Sequence, residues 1–305
     1  MISPLRKRIV VVGAGGRLGK AFVSRYQGEH DVICLNHAAL DLADPASIAA
    51  ILEPLDYDLL ILPGALTAVD YCETHQKEAF AVNSLGPKLV AEISAGKGAH
   101  VTYISTDFVF DGLSMGPYDE RATPNPLSVY GASKLEGEEH VLAASSNHLV
   151  VRVSWVYGPA KPAFPEWIID QALQHAELAL PAEKIGTTTY TPDVAEYLRL
   201  LLGFEGGPVA SGIFHLANTG VCTWQQWGQH CLDAAANRGL PLKTRRISGN
   251  RLEDIKAFAA SRPINSVLSS GKFQDFTGVT PRPWQEAMAD HFAISPLFAG
   301  TAVPA

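Results

Sequence analysis

The run "RIVVVGAGGRLG", residues 8–19, limits the possible folds more than any other stretch of the chain. Four β-branched residues stand in a row without polar alternation, the pattern of a strand covered on both faces. Glycines follow at once, and then the helical pattern "GRLGKAFVSRYQ". A strand buried on both faces needs helices on both sides, so further strand–helix units have to follow. "DVICLN", "DLLILPGA", "HVTYIST" and "HLVVRVSWVYG" read as four more strands. Between them "DPASIAAILEPL", "ETHQKEAFAVNSLGPKLVAEISAG" and "NPLSVYGASKLEGEEHVLAA" read as helices. The first of these opens with Asp44 before Pro45, a capped start. The chain is therefore α/β, with a parallel sheet.

After Gly158 the rhythm changes. Proline-rich "GPAKPAFPEW" leads to helical "WIIDQALQHAEL". "TPDVAEYLRLLLGF" reads as a helix, "GIFHLAN" as a strand and "TWQQWGQHCLDAAANRG" as a helix. The last part, "SRPINSVLSSGKFQDFTGVTPRPWQEAM", is rich in turns. These segments predict a smaller domain over the carboxyl edge of the sheet, where open α/β sheets bind ligands. The expected division is residues 1–157 for the first domain, with 186–204 packing back on it. Residues 158–185 and 205–295 form the second, and 296–305 a loose tail.

Composition narrows the function. With 305 residues, 47% of them hydrophobic, there is ample material for a large core. The net charge of −7, without a block of like charges, argues against nucleic acid as partner. The apolar runs are short and broken by Gly or Pro, so none spans a bilayer. "MISPLRKR" leads into a strand and glycines rather than into a signal-peptide core. Cys34, Cys72, Cys222 and Cys231 show no Cys-x-x-Cys pairing. They read as reduced thiols of a cytoplasmic protein, without a metal knuckle. His30, His37, His75, His100, His140 and His148 lack metal-ligand spacing and read as surface residues. Glu136, Glu138 and Glu139 read as a solvated face, and the two Trp of "WQQWGQHC" as core of the smaller domain.

Three elements carry chemistry. Gly13, Gly16 and Gly19 follow a strand and open a helix, which suits close approach of backbone N–H groups to a diphosphate. The second strand ends Leu35-Asn36-His37 with no carboxylate, and Arg17 lies in the glycine turn. An acidic residue there would favour NAD, so this pattern points to NADP(H), with Arg17 as a cation for the 2′-phosphate. Asp41 is a candidate for the adenine amino group, or a turn residue. Thr106 closes the fourth strand on the same edge. Tyr130 and Lys134 stand four residues apart and share a helix face. A cation about 4 Å from a phenol contributes up to ~4 kcal/mol at an effective dielectric of ~20. That is enough to lower its pKa by up to ~3 units and make Tyr130 a proton donor.

"TDFVFDG" followed by "PLSVYGASKLEGE" resembles the extended short-chain dehydrogenase/reductases, and among them the dTDP-4-dehydrorhamnose reductase family of sugar-nucleotide reductases. The likeness spans roughly residues 8–292 and includes "GAGGRLG", "ALTAVDYCETHQKEAFAVN", "VVRVSWVYG", "GIFHLANTG" and "SRPINSVLSSGKF". It implies a Rossmann-type doubly wound parallel sheet with a smaller C-terminal α/β substrate domain. It implies a Thr106–Tyr130–Lys134 triad and NADPH as cofactor, with NADH as the alternative. Cofactor contacts would fall on Gly13, Gly16, Arg17, Leu18, Gly19, Asn36, His37, Asp41, Leu42, Gly64, Ala65, Leu66, Thr67, Asn83, Tyr130, Lys134 and Val153. Sugar contacts would fall on Thr67, Val69, Thr106, Asp107, Phe108 and Trp155. Arg262 and Lys184 are candidates for the substrate diphosphate. The resemblance implies a nucleotide-sugar substrate, a cytoplasmic enzyme that allows a homodimer, no membrane partner and no metal, because "KAF" after the glycine turn offers no Glu. The family's Asp-Gln-x-Gly-x-Pro-Thr stretch is replaced here by "PAEKIGTTTYTPDVA". Two rival readings share the scaffold. One is a sugar-nucleotide epimerase; Phe108, which carries no proton to transfer, argues against a dehydratase. The other is a non-catalytic NADP-binding subunit like that of methionine adenosyltransferase.

Overall fold

The computed structural model describes residues 6–298, so the expectations for residues 1–5 and 299–305 lie outside it. Its centre is a six-stranded sheet. Strands β1 (Arg8–Val12), β2 (Asp31–Leu35), β3 (Leu59–Leu62), β4 (His100–Thr106) and β5 (Leu149–Val153) pair in the order β5-β4-β3-β1-β2. Gly212–His215 adds a sixth strand beside β5, and every pairing is parallel. The chain runs outward from β1 to β2 and then restarts on the other side at β3. The carboxyl ends of β1 and β3 thus flank the point where the winding reverses.

Successive residues of a strand face opposite sides of its sheet. Ile9, Val11, Leu59, Ile61, Ile104, Leu149 and Val151 pack on one side with Phe22 and Tyr26 of α1 (Arg17–Tyr26) and with the helix Thr191–Leu201. Val10, Val12, Leu60, Leu62, Val101, Tyr103 and Val150 pack on the other. Their partners are Ile48 and Leu52 of α2 (Pro45–Leu52), Val90 of the helix Gly86–Gly96 and Val141 of the helix Val129–Ala144. Both registers are buried, which is why the strands read as unbroken apolar runs. A separate core, with Ile168, Ile169, Trp227, Cys231, Met288 and Phe292, holds together the helices Phe164–Gln174, Trp224–Asn237 and Trp284–Ile294. Of the two Trp read as core, Trp227 is buried in this cluster and Trp224 is half-buried against it.

The structure departs from the sequence reading in several places. Gly212–His215, expected in the smaller domain, belongs to the main sheet. The helix expected over "WIIDQALQHAEL" stops at Gln174, and Leu178–Pro181 becomes a strand paired with Ile247–Asn250. Pairing with a distant strand overrides local propensity there. The helix expected over residues 73–96 is interrupted by a π-helical turn, Ala81–Leu85. Close packing fixes this break: a Cβ on Gly86 would sit 2.3 Å from the Leu42 carbonyl oxygen. Pro296–Phe298 forms a short helical turn with Phe298 packed on Phe292, so the tail is ordered that far. His30 and His148, expected at the surface, are buried, and His148 Nδ1 accepts from the Val101 N–H at 3.2 Å. Glu138 also leaves the expected solvated face. It is 1% exposed and bonds Arg152 of β5, 2.6 Å at the shortest contact.

That buried pair locks the helix Val129–Ala144 to the sheet. Removing one partner of a buried ion pair strands the other charge. Arg152→Met should therefore cost about 3–5 kcal/mol in urea unfolding, and Arg152→Met with Glu138→Gln should recover part of that loss.

Candidate active site

Glycines shape the first half of the site. Gly13 has a φ of +89°, and a Cβ there would lie 2.6 Å from the Gly64 backbone. On Gly19 a Cβ would lie 2.2 Å from the Gly13 carbonyl oxygen. The turn after β1 is therefore packed directly on the turn after β3, and only glycine fits. Gly16 ends the turn as the N-cap of α1 without a side-chain cap bond, which leaves the first N–H groups of the helix open to an anion.

The second half comes from β4 and the helix Val129–Ala144. Ser128 caps this helix by accepting from the Gly131 N–H at 3.2 Å, and Glu73 accepts from the Val129 N–H at 2.8 Å. A Cβ on Gly131 would lie 2.2 Å from the Phe108 carbonyl oxygen, so the helix start presses on the turn after β4. That approach brings Tyr130 and Thr106 to the same wall of the cleft. One turn on, Lys134 donates to the Ile104 carbonyl at 2.7 Å, and its Nζ stands 3.8 Å from the centroid of the Tyr103 ring.

A cleft of about 1110 Å³ joins the two halves. It is lined by Gly13, Gly16, Arg17, Leu18 and Gly19, by Asn36, His37, Asp41 and Leu42, and by Gly64, Ala65, Leu66 and Thr67. Val69, Thr106, Asp107, Phe108, Tyr130, Lys134, Val153 and Trp155 complete the residues read from the sequence. Asn83 is the exception. It is fully buried, accepts from the Leu66 N–H at 2.8 Å and donates to the Leu66 carbonyl at 3.0 Å. Its amide shapes the turn after β3 instead of facing the cleft. Arg17 does line the cleft, but its guanidinium donates to the Pro162 carbonyl at 2.7 Å. It fastens the 161–162 loop across the cleft. Neither candidate for the substrate diphosphate lines the cleft. Arg262 pairs with Asp70, 2.6 Å at the shortest contact, and Lys184 is buried.

The sequence reading missed Ser105, Ser154, Val156 and Lys161, which also line the cleft. Ser105 and Ser154 neighbour residues already singled out. Lys161 sits in a proline-rich loop, and nothing in its local sequence marks it. Trp155 is both cleft wall and core: it stacks on Trp227, with ring centroids 5.7 Å apart. Its φ of +42° is a left-handed conformation that costs a bulky residue about 1–3 kcal/mol.

Charge in the site differs from the simple reading. Burial pushes the Tyr130 phenol up, and the nearby Asp107 raises it further. Lys134, turned to the Ile104 carbonyl, does not depress the phenol here. Burial lowers Lys134 itself to about 7, against a raising effect of Glu138.

The sequence model of the RmlD substrate binding domain matches residues 7–295. The chain belongs to the dTDP-4-dehydrorhamnose reductase family. A dTDP-4-dehydrorhamnose reductase of Sinorhizobium fredii is 32% identical over 285 residues, 92% of this chain and 95% of the relative. The spore coat polysaccharide biosynthesis protein SpsK of Bacillus subtilis is 32% identical over 286 residues, 93% of this chain and 96% of the relative. The crystal structure of dTDP-4-dehydrorhamnose reductase from Bacillus anthracis in complex with NADP matches at a TM-score of 0.87 and 28% identity. It covers 95% of this chain and 99% of its own. Membership of the dTDP-4-dehydrorhamnose reductase family makes the chain an extended short-chain dehydrogenase/reductase, in line with its motifs and its sheet.

The depressed Lys134 has a measurable consequence. Its folded value of about 7 lies below the ordinary 10.5. The unfolded chain binds more protons between those values. The cost of the buried charge is therefore full below the folded value and fades as pH rises toward the unfolded one. In urea unfolding at about pH 6.5 and about pH 9.5, the stability of the wild type relative to Lys134→Met should rise with pH by on the order of 1–3 kcal/mol.

Proposed function

We propose that this protein uses NADPH to reduce the 4-keto group of a nucleotide-linked deoxysugar. The observation that carries the proposal is that Thr106, Tyr130 and Lys134 line one cleft with the glycine turn. The residues present fit a dinucleotide. Gly13, Gly16, Arg17, Leu18 and Gly19 would hold its diphosphate against the open start of α1. Asn36, His37, Asp41 and Leu42 would hold the adenosine end, where no carboxylate closes β2 against a 2′-phosphate. NADH is the alternative. Gly64, Ala65, Leu66, Thr67 and Val153 would flank the nicotinamide end, and Lys134 its ribose. Thr67, Val69, Asp107, Phe108 and Trp155 would meet the sugar. The reading places the enzyme in the cytoplasm and allows a homodimer.

When bound, the dinucleotide supplies a hydride. Tyr130 gives its proton to the ketone oxygen as charge develops there. Burial favours the protonated phenol and so keeps that proton in place until transfer. Thr106, which lines the same cleft, would orient the ketone oxygen. Lys134 adds positive charge at the base of the same helix face. Phe108 offers no proton, which argues against elimination of water from the sugar. Fixing both reactants in one cleft contributes by proximity.

The test is NADPH consumption with a dTDP-4-keto-6-deoxyhexose, with NADH alongside. The wild type should turn over, faster with NADPH. Tyr130→Phe should lower kcat by about 10²–10⁴-fold with NADPH binding, read by fluorescence titration, unchanged. A wild type that binds NADPH but consumes none with this substrate would sink the proposal.

A further inference from the structure

A second hollow, of about 340 Å³, lies beside the cleft at the glycine turn. Its walls include Gly15 of the turn, Lys20, Ser24 and Gln27 of α1, Cys34 of β2 and Asn36 just past β2. β2 is the edge strand of the sheet, so the hollow lies at the sheet's rim. Gly15 and Asn36 also line the cleft, and the two cavities meet there. The junction is open at Gly15. A Cβ on that residue would have only the Asn36 Cβ within 4 Å, at 3.9 Å.

Lys20 is the one charged residue in this lining, and no carboxylate borders the hollow. Among the described residues its ammonium forms no ion pair. An exposed helix lysine is ordinarily placed for solubility or for the helix itself. Lys20 does not serve the helix. It is the fourth residue of α1, a helix with no acidic residue in its first turn. A cation that close to the positive end of the helix dipole works against helix stability. In a chain with a net charge of −7, an unpaired cation in a concave, carboxylate-free site is a selective place for an anion.

The position of the hollow says which anion. NADP differs from NAD by one phosphate on the 2′-oxygen of the adenosine ribose. The adenosine end is the part of the dinucleotide assigned to Asn36 and its neighbours, and the hollow opens from the cleft at that point. A phosphate monoester carries about −1.5 to −2 charges at neutral pH and offers three acceptor oxygens. Lys20 meets it with three donors on one compact charge, and Ser24, one turn further on the same helix face, adds a hydroxyl. Asn36 Oδ1 accepts from the Ala39 N–H at 3.1 Å, which leaves the Asn36 NH2 group to donate. The other basic groups nearby are less suited. The Arg17 guanidinium donates to the Pro162 carbonyl at 2.7 Å. His37 Nδ1 stands 3.8 Å from Asp41 Oδ1, a carboxylate that repels phosphate.

We propose that this hollow seats the 2′-phosphate of NADP(H), and that Lys20 is the residue that selects NADP(H) over NAD(H). The assignment rests on the reading of the cleft as a dinucleotide site. It does not depend on which sugar is reduced.

The test is fluorescence titration of the full-length protein with NADPH and with NADH, in the absence of any sugar, at low and at high salt. Lys20→Met should raise the Kd for NADPH by about tenfold and leave that for NADH within about twofold. Lys20→Arg should keep most of the preference. Ser24→Glu leaves Lys20 in place but adds a carboxylate to the hollow, and it should weaken NADPH alone. In the wild type, salt should weaken NADPH more than NADH, and Lys20→Met should shrink that difference. The urea midpoint of Lys20→Met should not fall, because the substitution removes a cation from the start of a helix. Equal losses for the two cofactors, or an unchanged Kd for NADPH in Lys20→Met, would overturn the proposal. A wild type that binds NADPH in this way but reduces no sugar removes the reductase reading and leaves the assignment of the hollow standing. A wild type that binds neither dinucleotide removes both.

Discussion

Backbone-to-backbone contact between one helix and the end of one strand is the constraint on which the site depends. The helix Val129–Ala144 has no side chain at two points where it meets its neighbours. Gly131 lies against the Phe108 carbonyl, and Gly137 against the Asn83 carbonyl and the Tyr103 hydroxyl. A methyl group at either point would collide, with nearest distances of 2.2 Å at both. Such contacts set the helix axis closer to the sheet than ordinary side-chain packing allows. Tyr130 and Lys134 inherit their positions from that axis, and Thr106 inherits its position from the strand it presses on.

The close approach also explains the charges enclosed behind the site. Ser133, Lys134 and Glu138 on its inner face are buried, and buried polar groups need hydrogen-bond partners. Glu138 finds Arg152, Lys134 finds the Ile104 carbonyl, and Ser133 donates to the Tyr130 carbonyl at 2.9 Å. The π-helical turn Ala81–Leu85 belongs to the same arrangement. It points the Asn83 carbonyl at the Tyr103 hydroxyl, 2.6 Å away, and leaves the Asn83 amide free to shape the turn after β3.

The unbroken apolar runs made the sheet legible, because burial on both faces writes itself into successive residues of strands such as β3 and β5. The glycine turn and the Tyr130–Lys134 spacing were legible for a similar reason: each is a local pattern with one good geometric explanation. Distant pairing was not. The helical reading that ran on to Leu178 fails once Ile247–Asn250 is beside Leu178–Pro181, and Gly212–His215 looks like part of the smaller domain until β5 is beside it. Glu138 looks like a solvent residue among its neighbours, and only the partner on β5 reveals otherwise. Arg17 shows the same limit within the cleft. Its position in the glycine turn suggested a phosphate ligand, while a loop more than a hundred residues away takes its guanidinium.

Trp155 gives the cleft an unusual wall. One ring belongs at once to the cavity and to an aromatic stack that runs through Trp227 to Phe164, with centroids 4.3 Å apart in the second step. The shape a ligand meets is therefore coupled to how well the smaller domain packs. A change of packing in that core reshapes the cleft, and a change of cleft shape at Trp155 disturbs the core.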